Sequence, residues 1–207
     1  FGSGVNISTT TGLAGSLTGT NYSVTISDAN GCTEVLDTQI FEPAPIVFGA
    51  GTAATSNYNG FNVSCFGSTD GEATVEATGG TSPLRYLWDV STGAQVSSVA
   101  TGLGAGTYCV TVTDANGCSV DTCLVLTEPT PLTMTANIDS AGCNGGNSGG
   151  LAAIPSGGVG PYTYAIDSNG TISPYTTDST WTGLSAGTYT IYVKDNNDCG
   201  PVQQTVT

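Results

Sequence analysis

Basic side chains are almost missing from this sequence. Arg85 and Lys194 are the two basic residues, against 16 acidic ones, and the formal net charge is −14. Nucleic acids and anionic lipid surfaces bind positively charged protein surfaces. The sequence also lacks any run of about 18 apolar residues that would span a bilayer. We therefore expect no nucleic acid partner and no membrane insertion.

Histidine is absent altogether, which removes the commonest general acid and base near neutral pH. Two carboxylate pairs, Asp70 with Glu72 and Glu72 with Glu76, are the alternative, because glycosidases use paired carboxylates. Alternation along a strand places these side chains on its solvent-facing side, where acidic residues are ordinary. We expect no catalytic residue, no cofactor and no enzymatic activity.

Threonine, serine and glycine are abundant, with 34, 20 and 30 residues. This composition favours strands and turns, and no stretch has a sustained apolar period of 3.6 residues. Seven cysteines in an acidic chain poor in lysine indicate an oxidising compartment. The sequence therefore predicts an extracellular or cell-surface β protein.

One pattern of thirteen residues occurs three times and ends each time on cysteine. The copies are TNYSVTISDANGC at 20–32, GTYCVTVTDANGC at 106–118 and GTYTIYVKDNNDC at 187–199. Matches of TGLGAGTY with TGLSAGTY and of FEPAPI with TEPTPL extend this to a repeat of about 80 residues. We divide the chain into unit one (1–46), which matches only the second half of a repeat, and two complete repeats, unit two (47–132) and unit three (133–207).

Within a unit the apolar period is two. Tyr108, Val110 and Val112 alternate with Cys109 and Thr111, which is typical of a strand with one buried face. Gly–Gly, Asn–Gly and Glu–Pro pairs separate such runs. About seven short strands in each complete unit predict an all-β chain of tandem immunoglobulin-like antiparallel β-sandwich domains, stabilised by disulfides.

The segment Asp–Ala–Asn–Gly lies between two alternating runs and predicts a hairpin turn. Asp114 would bond backbone amides of the turn, and Gly117 would adopt a positive φ. The alternative is a calcium loop that uses Asp28, Asp114 and Asp195. One carboxylate per loop is too few for an ion that takes six to eight oxygen ligands. We therefore predict turns and no metal site.

Each complete unit has one cysteine near its start and one after the hairpin turn, and unit two has two more. These positions predict the disulfides Cys65–Cys118, Cys143–Cys199 and Cys109–Cys123. The last pair follows from strand register, because a hairpin centred on Asn116 places Cys109 opposite Cys123. A zinc site is disfavoured by the absence of histidine and of a Cys-x2-Cys pair. Cys32 is left unpaired or available to another chain.

The strings SCFGSTDGEATVEATGGTSPLRYLWD, TGLGAGTYCVTVTDANGC and LTEPTPL, in this order, resemble the SprB-type repeat of Bacteroidota cell-surface proteins, a family that includes gliding-motility adhesins. Unit three departs from the pattern, since Ile166 stands where Trp88 does and DNNDC replaces DANGC. The resemblance implies export, surface attachment and display as filaments or stalks. It also implies glycan attachment at Asp–Ser sites, here Ser140 and Ser179.

Two functions of different classes fit these features. The leading hypothesis is a structural repeat segment of an extracellular filament or adhesin stalk, whose partners are further copies of itself or upstream repeats of the same array. The alternative is a carbohydrate-binding module array of a secreted protein, with surface glycans as ligands and Trp181 as the sugar contact. Trp88 shares the phase of its apolar neighbours and is expected in the core. We also expect residues 1–46 to make their main β-pairing outside units two and three.

Overall fold

The computed structural model describes residues 21–39, 41–140, 142 and 146–207. Unit one contributes β1 (Asn21–Ser27) and β2 (Thr33–Gln39). Unit two contributes β3 (Val47–Phe48), β4 (Ala53–Ala54), β5 (Gly71–Thr74), β6 (Ala77–Thr78), β7 (Arg85–Trp88), a 3-10 turn (Val90–Thr92), β8 (Val99–Leu103), β9 (Gly106–Thr113) and β10 (Ser119–Leu126). Unit three contributes β11 (Thr133–Asp139), β12 (Gly149–Ser156), β13 (Thr163–Ser168), β14 (Thr171–Ile172), β15 (Thr180–Leu184), β16 (Tyr189–Lys194) and β17 (Val202–Val206).

Unit two has two antiparallel three-stranded sheets and a short ladder. One sheet has the strand order β4-β5-β8, the other has the order β10-β9-β7, and β3 pairs with β6. The hairpin of β9 and β10 places Thr113 opposite Ser119 and Cys109 opposite Cys123. The hairpin is therefore centred on Asn116, as the sequence predicts.

Unit three repeats this plan. Its sheets have the orders β11-β12-β15 and β14-β13-β16-β17, so that β12, β15, β16 and β17 correspond to β5, β8, β9 and β10. No described strand pairs with a strand of another unit. Both complete units are thus all-β, antiparallel and immunoglobulin-like, which confirms the predicted fold class. No helix in the described ranges has the length and apolar character needed to cross a bilayer.

Each complete unit has its own apolar core between its sheets. In unit two the core includes Val75, Trp88, Ala100, Leu103, Tyr108, Val110, Val112 and Leu126, and in unit three Leu151, Tyr164, Ile191, Val193 and Val206. Trp88 is 1% exposed, and its indole Nε1 donates a hydrogen bond of 2.8 Å to the carbonyl of Ser97. A buried Trp whose N–H has a partner anchors this core at no polar cost, so Trp88 is the core residue expected from its phase.

Unit one is described from Asn21 onward. β1 and β2 pair with each other in an antiparallel hairpin, and within the described residues neither pairs with a strand of unit two or three. Whatever residues 1–20 contribute to this unit lies outside the described residues.

Candidate functional site

The joint between consecutive units begins with the linker that enters each sandwich. The amide of Gly158 donates a hydrogen bond of 2.8 Å to the carbonyl of Thr130 in the linker before unit three. The amide of Gly80 donates one of 2.7 Å to the carbonyl of Ala44 in the linker before unit two. The same Gly–Gly pair therefore holds the same part of the linker in both units, and neither linker is a free tether.

Glycine is required there by both conformation and space. Gly79 and Gly157 have φ values of +84° and +76°, a region that favours glycine. A Cβ on Gly157 would overlap the carbonyl of Pro131, and one on Gly79 would overlap the carbonyl of Pro45. The linker backbone thus lies directly against each Gly–Gly turn.

The Asp turn packs beside this linker. In unit two, Asp114 is 4% exposed, and its Oδ1 accepts hydrogen bonds of 2.9 Å from the amides of Asn116 and Cys118. Its Oδ2 accepts one of 2.9 Å from the amide of Thr81, next to the Gly–Gly pair. The bond from Thr81 lowers the pKa of Asp114, burial opposes it, and the amides of the turn lower it further.

Unit three builds its turn in the same way. The Oδ1 of Asp195 accepts hydrogen bonds of 2.9 Å from the amides of Asn197 and Cys199, and its Oδ2 accepts one of 2.8 Å from the amide of Val159. In unit one, Asp28 accepts the corresponding 2.9 Å bond from the amide of Cys32. All three aspartates are therefore turn residues bonded to backbone amides, as predicted.

We call this end of a unit, made of the linker, the Gly–Gly pair and the Asp turn, its upstream pole. The opposite end of unit two, its downstream pole, is the loop of residues 57–70. A tight turn at Asn59 and Gly60, with φ values of +53° and +98°, begins this loop. The loop is fixed to the end of β10, because the amide of Val63 donates to the carbonyl of Thr127 at 3.2 Å and that of Gly67 to the Glu128 carboxylate at 2.6 Å.

Asp70 holds the part of this loop next to Cys65. The amide of Ser64 donates to Asp70 Oδ1 at 3.0 Å, and the Tyr58 hydroxyl donates to the Asp70 carbonyl at 3.3 Å. Desolvation raises the pKa of Asp70, but hydrogen bonds from Ser64 and Tyr58 outweigh it and lower the pKa below its usual value. The carbonyl of Ser64 is thereby left to face unit three.

A disulfide and an asparagine join the two units. Cys65 of unit two is bonded to Cys199 of unit three, with a Cα–Cα distance of 5.6 Å. Beside it, Asn197 Nδ2 donates hydrogen bonds to the carbonyls of Ser64, at 2.8 Å, and Tyr58, at 3.4 Å. Asn59 Nδ2 in turn donates to Asn197 Oδ1. The upstream pole of unit three is thus fixed to the downstream pole of unit two.

The expected pairings Cys65–Cys118 and Cys143–Cys199 are therefore corrected. The Cys65 loop is fixed at the end of β10, whereas Cys118 lies just before its start. The eight residues of β10 span about 26 Å at roughly 3.3 Å each, and a disulfide requires Cα atoms within about 7 Å. Cys199 bonds Cys65 instead. Cys143 itself lies outside the described residues.

The remaining cysteines differ in state. Cys109 and Cys123 form the cross-strand disulfide that the hairpin register predicts, with a Cα–Cα distance of 4.0 Å. Cys32, the residue left over in the sequence, is exposed and unbonded, and so is Cys118. No cluster of three or more metal-binding side chains occurs among the described residues.

The predicted glycan-related residues lie in unit three, away from the joint. Trp181 packs partly buried against the core and lines a shallow cavity of about 240 Å³ at the surface. Ser140 is exposed, and Ser179 is half-buried just before β15. The structure does not bring these three residues together into one site.

A second cavity, of about 310 Å³, is lined by apolar residues that include Leu151, Leu184 and Val206 and by polar residues that include Ser140. In unit two, Leu103 occupies the position of Leu184 and is buried with Leu126. Core side chains thus fill the matching space in unit two. We assign this cavity to the packing of the sandwich rather than to a ligand.

Sequence reasoning missed the residues that fix the joint. From the sequence, the Gly–Gly pairs at 79–80 and 157–158 only separate strands, and Asn197 has no role. The repeat itself carries the signal. Each complete unit has a Gly–Gly pair at the same repeat position, and an asparagine lies two residues before the turn cysteine in every unit, at Asn30, Asn116 and Asn197.

Comparisons with known proteins agree with a repeat protein. Residues 61–93 and 135–172, one segment in each complete unit, match the SprB repeat family. No curated protein matches the chain. The match to the family at both segments supports the repeat assignment made from the sequence.

Among solved structures, a three-domain immunoglobulin segment of titin is similar, with 14% identity, a TM-score of 0.42, and coverage of 90% of this chain and 72% of that one. A Dscam structure has 14% identity and a TM-score of 0.31, covering 86% of this chain and 51% of that one. An intimin fragment, in complex with the intimin-binding domain of its translocated receptor, has 16% identity and a TM-score of 0.37, covering 81% and 64%. The chain thus spans about half the length of the Dscam structure, and these likenesses concern the fold alone.

Proposed function

We propose that this chain is a structural segment of an extracellular filament or cell-surface adhesin stalk, in which successive sandwiches are fixed end to end. The observation that carries the proposal is the covalent joint between unit two and unit three, Cys65–Cys199. A disulfide between units keeps neighbouring domains in contact when the array is pulled, which a ligand-binding module does not need. The role is mechanical, and we assign it no catalytic residue and no cofactor.

Three further features support a load-bearing array. The linker is held against the following unit by the amide of Gly158, so bending at the joint must break this contact. Asn197 adds bonds to unit two, each worth about 0.5–1.5 kcal/mol. The net charge of −14 keeps a long exposed fibre soluble and disfavours self-association.

The family match supports a surface location of the SprB type. We propose, on the resemblance, that the array belongs to a surface protein of Bacteroidota that acts in adhesion or gliding. The carbohydrate-binding alternative gains no support, because Trp181 packs partly against its own core rather than standing free as a platform for a sugar ring.

Electron microscopy of intact cells that produce this protein tests the proposal. Antibodies raised against unit two should label thin fibres that project from the cell surface. Mild reduction of the same cells should lower the persistence length of the fibres, because the covalent joints open while the sandwiches remain folded. Label confined to compact secreted particles, or fibres equally stiff before and after reduction, would contradict the proposal.

A further inference from the structure

The upstream pole of unit two matches that of unit three in the backbone contacts of its linker, its Gly–Gly pair and its Asp turn, but not in its covalent partner. Both have a linker carbonyl bonded to a Gly–Gly amide, at 2.7 and 2.8 Å. Both have an aspartate that accepts 2.9 Å bonds from the turn asparagine and the turn cysteine. Cys199 is 8% exposed and bonded to the unit before it. Cys118, in the same place, is exposed and unbonded.

We infer that Cys118 forms a disulfide with the first cysteine of the repeat that precedes unit two, and that this bond recurs at every joint of the array. The rule is that the turn cysteine of each repeat bonds the first cysteine of the repeat before it, as Cys199 bonds Cys65. The inference rests on the proposed function, since it requires an array of similar repeats. It assigns Cys32, the turn cysteine of unit one, to the same class.

The side chains around Cys118 are suited to such a partner. Asn116, the counterpart of Asn197, is exposed, and its Nδ2 donates to the Thr81 hydroxyl at 2.9 Å. Val159 occupies the position of Thr81 in unit three, where the asparagine donates to carbonyls of the preceding unit instead. Docking of a preceding repeat on unit two would break the hydrogen bond from Asn116 to Thr81, and Asn116 Nδ2 would then donate to backbone carbonyls of that repeat.

In unit three, the described part of the loop that corresponds to residues 57–70 has a matching hydrogen bond. The amide of Gly142 donates to the Ser148 hydroxyl at 3.0 Å, as the amide of Ser64 donates to the Asp70 carboxylate at 3.0 Å in unit two. Cys143 follows Gly142 as Cys65 follows Ser64. The rule therefore assigns Cys143, which lies outside the described residues, to the turn cysteine of the repeat that follows.

Each bridge forms by thiol–disulfide exchange with a protein or small-molecule disulfide. The two cysteine thiols lose two electrons and two protons, one S–S bond forms between them, and the oxidant's S–S bond is reduced to two thiols. Because Cys118 and Cys143 both lie inside the loop closed by Cys65 and Cys199, successive loops overlap. Every residue between the first and the last bridged cysteine of such an array lies inside at least one bridged loop, so no repeat between them can extend fully while the bridges hold.

A chain with an extra copy of residues 47–132, inserted between Leu132 and Thr133, tests the inference. This chain contains Cys118 twice, once in each copy. The chain is folded in an oxidising glutathione buffer, and its free thiols are labelled with a maleimide before peptic mapping. The rule expects half of the Cys118 peptide to be labelled, because the inserted copy bonds the Cys65 before it. Replacing Cys65 in the first copy by serine should raise the labelled fraction to all of it.

The same substitution in the inserted copy is the matched control. It should leave half of Cys118 labelled and free Cys199 instead. Cys118 labelled in full in the chain with two wild-type copies, or bonded to the Cys65 of its own copy, would overturn the inference. A failure of the proposed function is distinguished from a failure of this inference by the unmodified 207-residue chain. If the proposed function is wrong, that chain yields no disulfide-linked Cys65–Cys199 peptide.

Discussion

Replacing Cys199 by serine should lengthen the fully unfolded chain by about 420 Å. When the chain is pulled from its two ends, the segment between bonded cysteines cannot extend. Cys65 and Cys199 are separated by 134 residues, and the Cys109–Cys123 bridge inside this loop still holds 14. Loss of the outer bridge therefore releases 134 − 14 residues, about 120, at roughly 3.5 Å each.

Single-molecule force spectroscopy measures this length directly. The chain is held by tags at both ends under non-reducing conditions and extended until every unit has unfolded. The contour length at that point depends on connectivity and not on stability, so a destabilising effect of the substitution does not enter. The wild-type chain and the Cys199→Ser variant should differ by the full 420 Å.

The variant Cys118→Ser is the matched control. Because Cys118 is exposed and unbonded, the contour length of this variant should equal that of the wild-type chain. Bridges within each unit would give other values. Cys118→Ser would replace the path of 5 residues from Cys118 to Cys123 by one of 44 residues from Cys65 to Cys109, a gain of 39 residues or about 140 Å. Cys199→Ser would release the 56 residues from Cys143 to Cys199, about 200 Å. Either of these lengths would refute the joint between the units.

Three further outcomes are expected. Gly157→Ala should lower the free energy of unfolding of unit three by more than the roughly 1–2 kcal/mol that a left-handed backbone costs an alanine, because the added Cβ overlaps the Pro131 carbonyl. Gly170→Ala, at φ +80° with no atom within 4 Å of the added Cβ, should incur the backbone cost alone. Equal losses in the two variants, measured by denaturant unfolding, would reject the docked linker. The pKa values of Asp70 and Asp114 are lowered in the folded chain. These two carboxylates therefore contribute stability above about pH 4, and the contribution is lost as pH falls through the lowered pKa values. An acid titration followed by circular dichroism should show this loss, and unchanged stability down to about pH 2 would contradict it. EDTA should leave the thermal midpoint unchanged, whereas a fall of several degrees would reveal a calcium site in the Asp turns.

Local features of this protein could be predicted from its sequence because they depend on neighbours along the chain. The alternation at Tyr108, Val110 and Val112 determines which face of β9 is buried. The Asp–Ala–Asn–Gly segment fixes the turn, and the turn fixes the register that places Cys109 opposite Cys123. Each of these steps spans fewer than about twenty residues and uses one pleated ladder, so no knowledge of distant contacts is needed.

The role of the Gly–Gly pairs was only half determined by sequence. A turn with positive φ follows from the residue type, and the structure has one at Gly79 and Gly157. The close approach of the Pro45 and Pro131 carbonyls does not follow. It depends on how the linker enters the sandwich, which is a contact between segments about 25 to 35 residues apart.

The disulfide at the joint was decided by the tertiary structure alone. Within a repeated sequence Cys118 and Cys199 have nearly the same neighbours, so the sequence offers Cys65 two equivalent partners and favours the nearer one. The choice depends on distance in space: β10 separates Cys118 from the Cys65 loop by its whole length, while docking of unit three brings the Cys199 Cα to within 5.6 Å of the Cys65 Cα. Sequence determined the strands and turns of each repeat, because these follow from local chemistry, and tertiary structure decided how one repeat is joined to the next, because that depends on which poles meet.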